Sequence, residues 1–150
     1  MKKFIPLIII IVILIGLFQW GVGLNNTMVE KQESAKKQWS NVESAYQRRA
    51  DLIPNLVNTV KGYASHEKET LEGVIQARAN ATKTTIDPTN VTPEQMAAFQ
   101  ESQNTLTGAL SRLMVVAERY PDLKANQNFL ELQSQLEGTE NRINVERNRY

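Results

Sequence analysis

The sequence predicts an all-α protein: an N-terminal transmembrane helix followed by an antiparallel, up-down three-helix bundle of long helices. Three observations predict this fold. Phe4 to Leu24 is an apolar run without a charge. Three later segments place their apolar residues three and four positions apart, the seam of left-handed helix packing in bundles and coiled coils. The part after Asn25 is poor in glycine and aromatic residues, which favours long helices over a sandwich or barrel.

The first element is the apolar run itself. It has 21 residues, of which Gln19 is the strongly polar one. A helix rises about 1.5 Å per residue, so this length matches the roughly 30 Å hydrocarbon layer of a bilayer. We therefore assign residues 1–25 to a membrane anchor and 26–150 to one polar domain, with the lipid bilayer as a partner. The predicted spanning positions include Phe4, Ile11, Gly16, Trp20 and Leu24.

Lys2 and Lys3 precede the run, as basic residues do in a signal peptide. The run is longer than a usual signal, and Gly21-x-Gly23 matches a cleavage site poorly, so we predict a retained, single-pass anchor; the alternative is a cleaved signal. The basic residues after the span begin only at Lys31. The positive-inside rule then places the polar domain on the non-cytoplasmic side.

The first soluble helix is predicted over about residues 26–81. Pro54 is the obvious stop within it, and we expect a bend or break there. The alternative is that Pro54 lies in the first turn of a new helix, where proline is tolerated. The seam of this helix comprises Trp39, Val42, Tyr46, Arg49, Ile53, Leu56, Val60 and Tyr63.

A threonine-rich linker, Thr82 to Pro93, precedes the second helix, predicted over about 93–119. Thr92-Pro93-Glu94-Gln95 is typical of a helix start, with a threonine cap, a proline at the first position and a glutamine that closes a capping box. Tyr120-Pro121 ends this helix, since proline disfavours helix in the residue before it. The seam comprises Met96, Phe99, Gln103, Leu106, Leu110, Leu113, Ala117 and Tyr120.

The third helix is predicted over about 126–150, capped by Asn126 or Asn128. Its seam comprises Phe129, Leu132, Leu136, Thr139, Ile143, Glu146 and Tyr150. The three apolar stripes are wide, which favours a bundle over a two-stranded zipper. Because three helices alone make a thin core, we expect partner helices and hence a homo-oligomer.

Composition excludes several function classes. Without Lys2 and Lys3, the 17 Lys and Arg residues fall to 15 against 16 Asp and Glu, so no basic field for nucleic acid exists. With no cysteine, disulfides and a lipid-modified cysteine are excluded. His66 is the single histidine, and no common nucleophile, phosphate-binding or metalloprotease motif occurs. We therefore predict no catalytic residue, no metal and no cofactor.

Arg49 is the unusual residue of the first seam, because an unpaired buried guanidinium is very costly. Candidate partners are carboxylates of the same segment or of facing helices: Glu43, Asp51, Glu118 and Glu140. One interpretation is an internal ion-pair network that fixes helix register. The other is a polar surface for a partner protein or a neighbouring copy.

The same segment resembles the signature of the LemA family of bacterial membrane proteins: Trp39-x-x-Val42-Glu43-x-x-Tyr46-Gln47-Arg48-Arg49-x-Asp51-Leu52-Ile53-Pro54-Asn55-Leu56-Val57. Further matches follow in order: Ala64-x-His66-Glu67, Ala77-Arg78-Ala79, Glu118-Arg119-Tyr120-Pro121-x-Leu123, and Glu140-Asn141-x-Ile143. The resemblance implies an N-terminal segment in the bacterial inner membrane, followed by an antiparallel helical bundle. It implies no activity. Relatives usually continue past Tyr150 with more helix and a hydrophobic stretch.

We expect a non-enzymatic protein whose helical domain self-assembles and organises the membrane surface. The first alternative is an adaptor that recruits another membrane or envelope protein, such as a protease or phosphatase. The second alternative, from a different class, is an unrecognised enzyme.

Overall fold

The computed structural model describes the backbone of residues 5–150 and the side chains of residues 10–150. Phe4, named above as a spanning position, lies outside the described residues, as do Lys2 and Lys3. The described part contains helices and no strand, so the all-α prediction is confirmed. The helices are α1 (Ile5–Tyr63), α2 (Lys68–Lys83), α3 (Pro93–Ala117), the short α4 (Pro121–Lys124) and α5 (Gln127–Arg149).

The chain divides into two compact units between Lys37 and Gln38. The end of the membrane anchor at residue 25 stays a prediction. In the first unit, the described large apolar side chains of α1 are exposed, including Ile11, Trp20 and Leu24. Residues 26–34 are exposed as well, including the apolar Met28 and Val29. The beginning of α1 is long and apolar enough to cross a membrane.

The second unit is an up-down bundle of four long helical segments rather than three. The single helix predicted over 26–81 is broken by a turn at residues 64–67, so α2 runs back antiparallel to α1. The amide of Glu67 donates to the carbonyl oxygen of Ala64 at 3.1 Å. Ala64 is fully buried in this turn, and the side chain of Glu67 is held by the end of α3. These are long-range contacts that local sequence does not reveal.

Pro54 lies inside α1, which continues through it. The predicted break is therefore wrong, and so is the alternative that Pro54 opens a new helix; a bend stays a prediction. The helix starts predicted downstream are confirmed. Thr92 and Gln95 form a reciprocal capping box at α3, with hydrogen bonds of 3.0 and 3.2 Å. The carboxamide oxygen of Asn126 accepts from the amide of Phe129 at 3.0 Å and caps α5.

The buried apolar residues form two clusters. The larger one joins all four long helices and extends to Leu123 of α4; Ile53, Leu56, Val74 and Leu113 are among its members. The smaller one contains Trp39, Val42, Tyr46, Phe99, Ile143 and Ile86 of the α2–α3 loop. The predicted seams are thus largely covered within one chain, because α2 supplies the helix that a three-helix bundle would lack.

Candidate functional site

Arg49 lies in the bundle, with 2% of its side chain exposed, on the α1 seam where its spacing placed it. Its guanidinium donates to three side chains. The acceptors are the carboxamide oxygen of Gln103 at 2.6 Å, the carboxylate of Glu140 at 2.8 Å and the hydroxyl of Thr107 at 2.9 Å. Arg49 therefore connects α1 to both α3 and α5.

Gln103 extends this contact to α2. Its carboxamide nitrogen donates to the carbonyl oxygen of Ala81 at 3.2 Å, in the last turn of α2. The hydroxyl of Thr107 donates in turn to the carbonyl oxygen of Gln103 at 3.1 Å. A polar layer, consisting of Arg49, Gln103, Thr107 and Glu140, thus ties the four long helices together at one level. Such a layer fixes the axial register of each helix, since a shifted helix would leave a buried polar group unpaired.

The ring of Tyr46 lies beside the guanidinium of Arg49 at one side of this layer. The centroid of its ring lies 5.3 Å from Cζ of Arg49, a distance at which a guanidinium and a ring attract each other. The ring also packs edge-on against Phe99. Burial raises the pKa of the Tyr46 hydroxyl above its ordinary value, against the opposing charges of Arg147 and Arg49.

Of the four carboxylates predicted as partners for Arg49, the structure brings Glu140 to it. Asp51 accepts a hydrogen bond from Gln47 instead, and Glu118 pairs with Lys124 of α4. Glu43 is exposed on α1 and borders a small cavity beside Trp39. The interpretation of Arg49 as a register-fixing residue rests on these contacts.

A groove opens beside the polar layer, between α3 and α5. The volume of this groove is about 190 Å³. Leu110, Met114 and Leu136 form its apolar floor, while Arg49, Thr107, Ser111, Gln133, Glu137 and Glu140 are its polar lining. We call it the α3–α5 groove. Two exposed aliphatic residues lie at its edges by helical spacing: Val115, one turn after Ser111, and Leu130, one turn before Gln133.

A second polar cluster lies where the α1–α2 turn meets the end of α3. One carboxylate oxygen of Glu67 accepts from both the guanidinium of Arg119 and the hydroxyl of Tyr120, each at 3.1 Å. Desolvation raises the pKa of the Tyr120 hydroxyl, and its hydrogen bond to Glu67 acts in the same direction. Beside it, the carboxamide of Asn126 donates to the hydroxyl of Tyr63 at 2.9 Å.

The remaining motif residues are distributed over the bundle. Trp39 is buried, with its ring against those of Phe99 and Tyr150. The others are exposed: Arg48, Asn55, His66, Pro121 and Asn141. Within the described residues, no three His, Asp or Glu side chains come together as a metal site.

Sequence reasoning missed two contributors. The sequence pattern places Gln103 on the seam of the second predicted helix, but we assigned it no contact with Arg49. A polar residue on each of two facing seams indicates a polar layer. Arg78 belongs to the motif Ala77-Arg78-Ala79, which assigns it no contact. Its Nε donates to the carbonyl oxygen of Ala50 at 2.7 Å, and nothing in its local sequence predicts that contact.

Comparison with known proteins identifies a family and a named relative. The model of the LemA family matches residues 38–150, the whole of the second compact unit. The Protein LemA of Metamycoplasma hominis is 27% identical over 137 residues, which cover 91% of this chain. The chain spans 59% of that relative's length.

Proposed function

Because this chain belongs to the LemA family, we propose that it is a non-enzymatic, single-pass membrane protein whose bundle self-assembles through the α3–α5 groove and so organises the membrane surface. LemA is not a known enzyme family. The beginning of α1 is long and apolar enough to cross a membrane. A bacterial inner membrane, with the bundle on the non-cytoplasmic side, is the location that we propose for it.

The α3–α5 groove is the observation that carries this proposal. Most of the predicted seam residues cannot form the assembly surface, because the bundle buries them inside one chain. Gln103, a polar residue of the second seam, is likewise used within the bundle. The groove remains open, its floor consists of leucine and methionine, and helical spacing places exposed Val115 and Leu130 at its edges. Apolar surface rimmed by polar residues is typical of a protein interaction site.

A second copy of the chain is the occupant that we propose for the groove. On α5, Glu137 is exposed and Glu140 has 42% of its side chain exposed. On α3, Thr107 and Ser111 are exposed at the lining of the groove. In a twofold pair, α3 of one copy meets α5 of the other, so these polar groups face each other twice. Anchoring in one bilayer raises the local concentration of copies, so a modest contact area suffices.

The test uses the absence of natural cysteine in this chain. Ser111→Cys places a thiol on the groove lining, and Ser44→Cys places one on the exposed face of α1. In native membranes, a short bis-maleimide should crosslink the Ser111→Cys protein to itself and leave the Ser44→Cys protein monomeric. Val115→Asp should weaken the Ser111→Cys crosslink, whereas Ile75→Asp, a substitution of an exposed aliphatic residue of α2, should not.

Two results would contradict self-assembly through the groove. Crosslinking of Ser44→Cys alone would place the contact on another face. Crosslinking of Ser111→Cys to a different protein would favour the adaptor function over the scaffold function.

A further inference from the structure

Pro54 leaves one carbonyl oxygen of α1 without its helical partner. In an α-helix the amide of each residue donates to the carbonyl four positions earlier, and proline has no amide hydrogen. The carbonyl that residue 54 would serve is that of Ala50, a residue with 3% of its surface exposed. Water cannot readily replace the missing donor there, and a buried unpaired carbonyl is unfavourable.

Arg78 supplies a donor at this position. Its Nε lies 2.7 Å from the carbonyl oxygen of Ala50, a short distance of the kind expected for a charged donor. Arg78 belongs to α2, and Ala77 and Ala81 of the same helix are buried. Small side chains at a contact allow two helix axes to approach closely, which brings the arginine within reach of the backbone of α1.

We propose that Arg78 acts as a latch between α2 and α1, taking over the hydrogen bond that Pro54 cannot make. The latch keeps α1 helical through the proline, since the freed carbonyl is paired without a break in the chain. It also favours one docking position for α2, because the carbonyl of Ala50 is the one that Pro54 leaves without a helical donor, whereas its neighbours in α1 already accept one. Pro54 thus marks a place on α1 at which a bond from α2 meets an otherwise unpaired carbonyl.

A double-mutant cycle on the full chain in detergent tests this latch. The four proteins are wild type, Pro54→Ala, Arg78→Met and the double variant, unfolded with urea while the fluorescence of buried Trp39 is followed. With Pro54 present, Arg78→Met should lower the folding equilibrium constant about tenfold. In the Pro54→Ala background, the new alanine amide serves the carbonyl of Ala50. There the same Arg78→Met substitution should change the constant less than about twofold.

Arg112→Met is the matched control, because Arg112 is an exposed arginine of α3; its effect should be the same with either residue at position 54. An equal loss from Arg78→Met in both backgrounds overturns the latch. If Arg78→Met does not fold with Pro54 present, Pro54→Ala must restore folding, and failure to restore it overturns the latch as well.

A spectroscopic measurement reports on the hydrogen bond itself. The ¹³C shift of the Ala50 carbonyl should move on Arg78→Met when Pro54 is present and stay in place in the Pro54→Ala background. An unmoved Ala50 signal when Pro54 is present shows that Arg78 does not pair with this carbonyl and overturns the proposal.

Discussion

Two arginine–glutamate pairs connect helices of this bundle, one inside it and one at its edge. Arg49 and Glu140 lie 2.8 Å apart, with 2% and 42% of their side chains exposed. Arg119 and Glu67 lie 3.1 Å apart, with 63% and 22% exposed. Each arginine has a tyrosine nearby, Tyr46 for the first and Tyr120 for the second. The residue types match, and the glutamate of the first pair is the more exposed of the two, so the difference that matters is the burial of the arginine.

Burial decides what each arginine can contribute. The guanidinium of Arg49 serves Gln103 and Thr107 as well as Glu140, and removing it leaves the buried carboxamide oxygen of Gln103 without its donor. The guanidinium of Arg119 is mostly in water, which replaces its hydrogen bond at little cost. We therefore expect the polar layer around Arg49 to contribute strongly to the stability of the bundle. The second polar cluster, around Glu67, should orient the α1–α2 turn and contribute much less to stability.

The largest effect is expected from Arg49→Ala. It should lower the free energy of unfolding by about 3 kcal/mol, because it strands the polar groups that face the guanidinium. Urea denaturation of the full chain in detergent measures this loss. Arg48→Ala is the matched control, since Arg48 is the adjacent, exposed arginine. Equal stabilities of the two variants would place Arg49 in solvent.

Gln103→Leu tests whether the layer acts as a unit. Leucine fills a similar volume but removes the acceptor for Arg49 and the donor to Ala81, so we expect a loss of about 2 kcal/mol. Gln100→Leu, on the exposed side of α3, should change stability by less than about 0.5 kcal/mol. A neutral Gln103→Leu would show that Arg49 and Ala81 find other partners.

Alkaline pH should test whether burial of the Tyr46 hydroxyl contributes to the stability of the bundle. The pKa of Tyr46 is raised by burial, so the folded state holds this proton more tightly than the unfolded state does. Its contribution to stability is then complete below the ordinary pKa of 10.0 and is lost as the pH rises through the folded-state pKa. Wild type should lose more stability than Tyr46→Phe over this interval. Parallel stability curves for the two proteins would refute the prediction.

The smallest effect is expected at the edge pair. Arg119→Ala should lower the free energy of unfolding by less than about 0.5 kcal/mol. Because exposed pairs are screened, raising the salt concentration should reduce even this difference. A loss as large as that of Arg49→Ala would mean that burial does not distinguish the two pairs.

Local chemistry made much of this fold predictable. The three-and-four spacing of apolar residues identified the helices, and the caps at Thr92 and Asn126 identified two of their starts. These signals lie within a few residues of each other, so the sequence contains them in full. The same spacing is sufficient to place Arg49 on a buried seam, although it does not identify the partners of Arg49. The long apolar run likewise identified the helix that can cross a membrane.

Tertiary structure decided what depends on distant residues. The turn at 64–67 divides the first predicted helix, and Glu67 in that turn is held by Arg119 and Tyr120 of the α3 end. The partner of Arg49 was also decided by tertiary structure. Arg49 pairs with Glu140, which lies 91 positions away in the sequence, and not with Glu43, Asp51 or Glu118. The same holds for Pro54, which lies inside an unbroken α1 while the carbonyl of Ala50 accepts a hydrogen bond from Arg78 of α2. Helical periodicity reports which face of a helix is buried; packing alone determines which groups meet there.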